Sequence, residues 1–204
     1  MKPVASTHEA SVLKLASKQA LVRARDLAER GIPTLVLSRM VSKGSLARVG
    51  RGVYALPNRS AGEHASLAEV AIQVPRGVIC LLSALRVHDI GTQSPFEVWV
   101  AIEHRMTPPK LANHQLRIVR MSGRAFSEGV IRERIDGIDV PVFNAAKTIA
   151  DCFKYRNKIG MDVALEALRE GWRERRVKMD DLWRYAEIDR VANVMRPYLE
   201  TLTA

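Results

Sequence analysis

Cysteine is scarce in this 204-residue chain: Cys80 and Cys152 stand 72 positions apart. That spacing supplies neither the paired thiols of a metal site nor a disulfide framework. Long apolar runs are missing too. The best of them, Val78–Leu82, ends at Ser83, far short of the ~18 residues a membrane span needs. The opening string Met1-Lys2-Pro3-Val4-Ala5-Ser6-Thr7-His8-Glu9 reaches polar residues too soon for a secretory signal. A cytoplasmic setting without membrane association is therefore expected. Catalytic signatures are absent as well. The five histidines, at 8, 64, 88, 104 and 114, show no H-x-x-x-H or HExxH spacing, and no GxGxxG, P-loop or GxSxG occurs. No cofactor and no bound metal are expected, and the chain does not read as an enzyme.

What is present is charge, unevenly placed. The chain is 47% hydrophobic and 26% charged, with a net charge of +10, the composition of a folded protein. Residues 1–60 hold eleven Lys and Arg but only Glu9, Asp26 and Glu29, a balance of +8. The other 144 residues balance at +2. Such asymmetry suits a nucleic-acid-binding module joined to a domain with a different task. A merely solvated basic surface would also give it.

Patterning within the first sixty residues favours the module. Val12, Leu13, Leu15 and Ala16 follow helical spacing over about Thr7–Lys18. Leu21-Val22 is a short extended piece, followed by a compact helix over about Ala24–Arg30 that Gly31 stops. Pro33 suits the first turn of the next helix, which runs to about Lys43 and is closed by Gly44. On it, Leu37, Met40 and Val41 face inward, leaving Thr34, Leu35, Ser38, Arg39 and Ser42 outside. Two helices around a Gly-Ile-Pro turn form a helix-turn-helix, whose second helix enters the major groove. Leu46–Val49 and Val53–Leu56 then flank Gly50-Arg51-Gly52, a hairpin tip suited to a wing. The candidate DNA contacts are Thr34, Ser38 and Arg39 on the recognition helix and Arg48 and Arg51 on the wing. Arg25 and Lys43 are candidate phosphate contacts. Winged helices also dock proteins; the +8 balance points to duplex DNA.

The expected fold is α+β: a winged helix-turn-helix over residues 1–59, then a mixed domain over 60–204 with a small sheet and a C-terminal helical run. Asn58-Arg59-Ser60-Ala61-Gly62 reads as the linker. Helices are expected over Glu63–Val74 and Val78–His88, and strands at Phe96–Ile102 and Leu116–Met121 around a loop at Met106–Gln115. Val130–Ile135 and Ile138–Phe143 flank Asp136-Gly137, a direct hairpin signal. Helices are then expected near 145–156, 160–176, 180–188 and 190–202. Glu166, Arg169, Glu170, Arg173 and Glu174 suggest an exposed, salt-bridge-laced helix.

The strongest enzymatic alternative is a metal-dependent nuclease with Asp89 and Glu103 as carboxylates. Arg105 stands where the lysine of such a site belongs, so the constellation is degenerate. Lys147, Asp151 and Lys154 are spaced at four and three along one helix; a solvated ion-pair face explains Lys147–Asp151 most simply.

Several strings occur together and in order: Arg25–Pro33 with Leu37-Ser-Arg39, Val49–Tyr54, Gly77–Leu85, Ala146–Phe153, Tyr155–Gly160 and Ala164–Arg169. With them the chain resembles the AbiEi family, antitoxins of type IV toxin–antitoxin systems and their relatives. The resemblance implies an N-terminal winged helix that binds inverted repeats in its own promoter and represses it. It implies a C-terminal domain associated with antitoxicity, for which Lys147, Asp151 and Lys154 are the candidate surface. The implied partner is an AbiEii-type nucleotidyltransferase toxin, opposed functionally without a stable complex being required. A plain transcription regulator with no toxin partner stays open beside this reading.

Overall fold

A computed structural model of the chain describes residues 4–19, 21–58, 64–111 and 113–202. By contact the chain divides into two units. One runs to Pro75 and takes in the hairpin tip Arg134–Asp139; the other runs from Arg76 to Glu133 and from Val140 onward. Most of the expected linker, residues 59–62, lies outside the described residues.

The first unit contains α1 (Val4–Lys18), β1 (Val22–Arg23), α2 (Ala24–Ala28), α3 (Thr34–Ser42), β2 (Ala47–Gly50), β3 (Val53–Ala55) and α4 (Ala65–Gln73). Its three strands are antiparallel in the order β1-β3-β2. This is a winged helix, the helices α2 and α3 being followed by the β2–β3 hairpin. Val12 and Ala16 of α1, Leu27 of α2, Leu37 and Met40 of α3, and Val22, Ile32 and Leu46 make one buried cluster. Their spacing explains the helices: each presents one apolar stripe to that cluster, and burial of such side chains gives about 1.5–3 kcal/mol apiece.

The turn between α2 and α3 follows from Gly31. Its φ of +73° lies in the left-handed region, which a side chain disfavours. There its N–H reaches the Ala28 carbonyl at 2.9 Å, while the Ile32 N–H reaches Leu27 at 3.0 Å. Pro33 does not open the helix as its first turn. With φ −65° and ψ 143° it is the extended residue before it, and its carbonyl accepts from the Val36 N–H at 3.0 Å. The proline ring fixes φ but leaves ψ free, so both positions suit it.

The second unit contains β4 (Val78–Ile79), α5 (Leu81–Val87), β5 (Val98–Glu103), β6 (Leu116–Met121), α6 (Arg124–Ser127) and, apart from the tip counted with the first unit, β7 (Val130–Ile135) and β8 (Ile138–Phe143). The helical run follows: α7 (Ala145–Lys154), α8 (Arg156–Ile159), α9 (Met161–Arg173), α10 (Met179–Ile188) and α11 (Ala192–Thr201). The five strands are ordered β6-β5-β4-β8-β7. β4 runs antiparallel to β5 and parallel to β8, and β5 parallel to β6. Asp136 and Gly137, at φ 50° and 79°, turn β7 into β8 as the hairpin signal predicts.

The fold class is therefore the α+β arrangement expected, with three local corrections. Val78–His88 is not one helix. Val78 and Ile79 are the central strand of the sheet, and only Leu81–Val87 is helical; two β-branched residues paired on both edges override the helical spacing. The strand expected from Phe96 starts at Val98, leaving Phe96 85% exposed. The carboxylates of α9 do not chiefly pair along their own helix. Glu170 accepts from the Gly91 N–H at 2.6 Å and Glu166 from the Thr92 hydroxyl at 2.9 Å, tying down the loop after α5.

Packed at the centre of this unit, α7 is buried on every side from Ala146 to Phe153. Asn144 caps it, its side-chain oxygen accepting from the Lys147 N–H at 2.9 Å. Among the described residues no helix is long and apolar enough to cross a membrane.

Candidate nucleic-acid interface

The outer face of α3 is built by subtraction. Leu37 and Met40 are drawn into the core, with Val36 and Val41 half-buried against it. The 3.6-residue period then turns Thr34, Leu35, Ser38, Arg39 and Ser42 outward, and all five are exposed. The hydroxyls of Ser38 and Ser42 donate back along the helix, to the Thr34 carbonyl at 3.5 Å and the Arg39 carbonyl at 2.9 Å. Neither bond commits the side chain, because the acceptor carbonyls already belong to the helix ladder. The Arg39 guanidinium is exposed and has no side-chain partner among the described residues. A bare arginine on this face can present its planar fork to a guanine edge or to a phosphate.

The wing forms at the next reversal. Arg48 pairs across the hairpin with Tyr54, and its Nε donates to the Gly50 carbonyl at 3.3 Å. Register shifts between Arg48 and Gly50, a bulge that adds local twist. Arg51 sits at the tip, exposed and without a side-chain partner among the described residues.

The two phosphate candidates are placed differently. Lys43, just past α3, is held by Glu9 of α1, Nζ to Oε1 at 2.9 Å. Arg25 is exposed near the start of α2, with only loose pairs at 3.7 Å to Asp26 and 4.0 Å to Glu29. Asp26 is engaged more closely by Arg23, at 2.9 Å. Thr34, Ser38, Arg39, Lys43, Arg48, Arg51 and Arg25 are thus all exposed side chains of one winged-helix unit.

The candidate antitoxin surface is a different matter. Lys147, Asp151 and Asp189 each have side chains 0% exposed. The i,i+4 spacing does bring Lys147 Nζ to Asp151, at 2.5 Å, but inside the unit and not on a solvated face. Asp189, 42 positions away at the end of α10, completes the group at 3.1 Å. The Phe143 ring lies under the same ammonium, 4.7 Å to its centroid. Lys154, 31% exposed, is the one member that reaches solvent and also pairs with Asp189, at 3.1 Å. Lys147 and Asp151 therefore present no surface. The helix carrying them is packed on all sides, which the sequence pattern of a polar stripe does not reveal.

The electrostatics follow from that geometry. Burial pulls the Lys147 ammonium toward neutrality, but the charges of Asp151 and Asp189 outweigh it and hold its pKa above the ordinary lysine value. Burial, reinforced by the like charge of Asp189, pushes Asp151 well above the usual carboxylate range against the pull of Lys147. Among the described residues, one Asp151 oxygen, Oδ2, has no hydrogen-bond partner.

Neither carboxylate of the nuclease reading belongs to a metal-holding group among the described residues. Asp89 is an exposed left-handed residue after α5, and Glu103, at the end of β5, lies 3.7 Å from Arg76. Among the described residues no three His, Cys, Asp or Glu are grouped to hold a metal ion.

Comparison with known proteins bears on the same segment. Residues 11–57 match the model of a family described as a transcriptional regulator, the AbiEi antitoxin. The matched stretch runs from the middle of α1 past the end of β3, so it covers the helix-turn-helix and the wing. The resemblance read from the sequence is borne out there, and the matched family is one of regulators. The chain is also similar in fold to the RV2827C protein from Mycobacterium tuberculosis. Identity is 14% and the TM-score 0.58, over 91% of this chain and 72% of that one. No curated protein matches the sequence.

Proposed function

With its first unit matching AbiEi antitoxin transcriptional regulators, we propose that this chain is a DNA-binding repressor of its own toxin–antitoxin operon. In this reading α3 enters the major groove of promoter inverted repeats, and Thr34, Ser38 and Arg39 face the bases. Arg48 and Arg51 on the wing follow the neighbouring backbone or minor groove, and Arg25 and Lys43 contact phosphate. The second unit counteracts a nucleotidyltransferase toxin encoded beside the chain, with or without a stable complex.

The observation that carries the reading is a coincidence of position. The family match at residues 11–57 falls on the stretch holding +8 of the net charge, where α3 leaves five outward side chains exposed. Phosphate neutralisation supplies sequence-independent affinity, and groove contacts supply the choice of site.

A two-part cell experiment tests it. A reporter driven by the DNA upstream of the gene is repressed by the chain and released by Arg39→Ala. Co-expression with the neighbouring gene rescues growth if that gene encodes the toxin. Repression without a neighbouring nucleotidyltransferase would leave a plain transcription regulator, and failure of repression would refute the DNA reading.

A further inference from the structure

Four large apolar side chains stand out as exposed among the described residues, and only Leu13 and Leu35 belong to the first unit. Leu13 is 39% exposed on α1, whereas Leu35 is 60% exposed at the second position of α3. The core does not need it, because Leu37 and Met40 bury the opposite stripe. On α3 it shares a ridge with Ser38, Arg39 and Ser42, which follow it at three, four and seven positions. A leucine there gains nothing from phosphate and holds apolar surface in water.

We propose that Leu35 is a specificity residue that reads the 5-methyl group of a thymine in the major groove. The inference rests on the DNA reading above and names what one part of that interface recognises. Among base edges facing the major groove, the thymine methyl is the apolar feature, and side chains near the start of a recognition helix are those that reach base edges. Leu35 lies in the first turn of α3, with Arg39 one turn further along the same ridge. Four residues of helix advance about 6 Å, roughly two base steps. The recognised half-site accordingly carries a thymine about two steps from the base that Arg39 contacts.

The test uses the full chain. Duplexes are selected from a randomised pool at about 0.15 M salt, and each thymine of the enriched site is then replaced by uracil. This removes the methyl group and leaves every hydrogen-bonding edge unchanged. The expected result is one position per half-site where uracil weakens binding about four-fold, the worth of one buried methyl-sized group. Leu35→Ala should bind the thymine duplex weaker by a similar factor and be indifferent to uracil at that position. Site-specific binding with no uracil-sensitive thymine overturns the role of Leu35 and leaves the DNA reading intact. So does a uracil effect that persists undiminished in Leu35→Ala. If no sequence is enriched, both readings fall. Absence of a uracil effect on the unaltered protein refutes the role of Leu35 even if the variant were poorly folded.

Discussion

Replacing Lys147 by methionine separates a buried charge cluster from a surface ion pair, because the two give costs of different size. Methionine nearly matches the length of the lysine stem but carries no charge. Among the described residues the substitution leaves Asp151 with no cation, and its Oδ2 already lacks a partner. Asp189 keeps Lys154 at 3.1 Å, so the loss falls chiefly on Asp151. Removing one partner from a buried ion pair costs about 3–5 kcal/mol, because Asp151, its carboxyl already pushed up by burial, must then stay charged without its cation or take up a proton. In a protein of this size each kcal/mol lowers Tm by about 2–4 °C, so a fall of roughly 6–20 °C is expected. An exposed i,i+4 pair would cost only about 0.3–0.5 kcal/mol. Urea unfolding followed by tryptophan fluorescence and by circular dichroism measures the difference. Asp151→Asn in the Lys147→Met background should recover part of the loss, because the amide is neutral without having to take up a proton; the effects of the two single changes should therefore not add. A Lys147→Met cost below about 1 kcal/mol would refute the buried-cluster account.

Further outcomes follow from the same geometry. Arg39→Ala should cost about 1–3 kcal/mol on the selected DNA site and relax specificity at one position, whereas Arg51→Ala should weaken all sequences alike and lower the salt slope by about 1; anisotropy titrations at several salt concentrations distinguish them. Glu9→Gln frees Lys43 from its 2.9 Å pair and removes a negative charge, so DNA affinity should rise and the salt slope steepen; unchanged binding would take Lys43 out of the interface. The Lys147 pKa is raised in the folded state, so the ammonium stabilises the fold fully below the ordinary lysine range. That contribution is lost as pH climbs through the raised value. Urea unfolding in steps from pH 8 to 11 should show a fall in stability that shrinks in Lys147→Met.

What the sequence could and could not disclose divides along the range of the interactions involved. The winged helix was legible because each cue is local. Gly31 and Gly44 end helices, the spacing of Leu37 and Met40 sets the inward face, and Gly50-Arg51-Gly52 marks the wing. The Asp136-Gly137 hairpin was legible for the same reason. Val78-Ile79 was not, because a two-residue strand is defined by its neighbours Val100, Ala101 and Val142, residues far away in the chain. The Lys147–Asp151 spacing announced a pair but not its burial. Burial depends on the packing of α5, α9, α10 and α11 around α7, and its third member, Asp189, lies 42 positions away. Glu166 and Glu170 went astray likewise: their acceptor role toward Thr92 and Gly91 is a tertiary contact that competes with the helical ion pairs their spacing suggests.

Site preference measured at equilibrium tests the central claim most directly. The full chain is titrated against the duplex upstream of its gene and against a scrambled duplex of the same composition, both at about 0.15 M salt. A helix-turn-helix reading bases through α3 predicts at least about 10³-fold tighter binding to the upstream duplex. Equal affinity for the two would contradict it, leaving the +8 of the first sixty residues as a surface charge that selects no sequence.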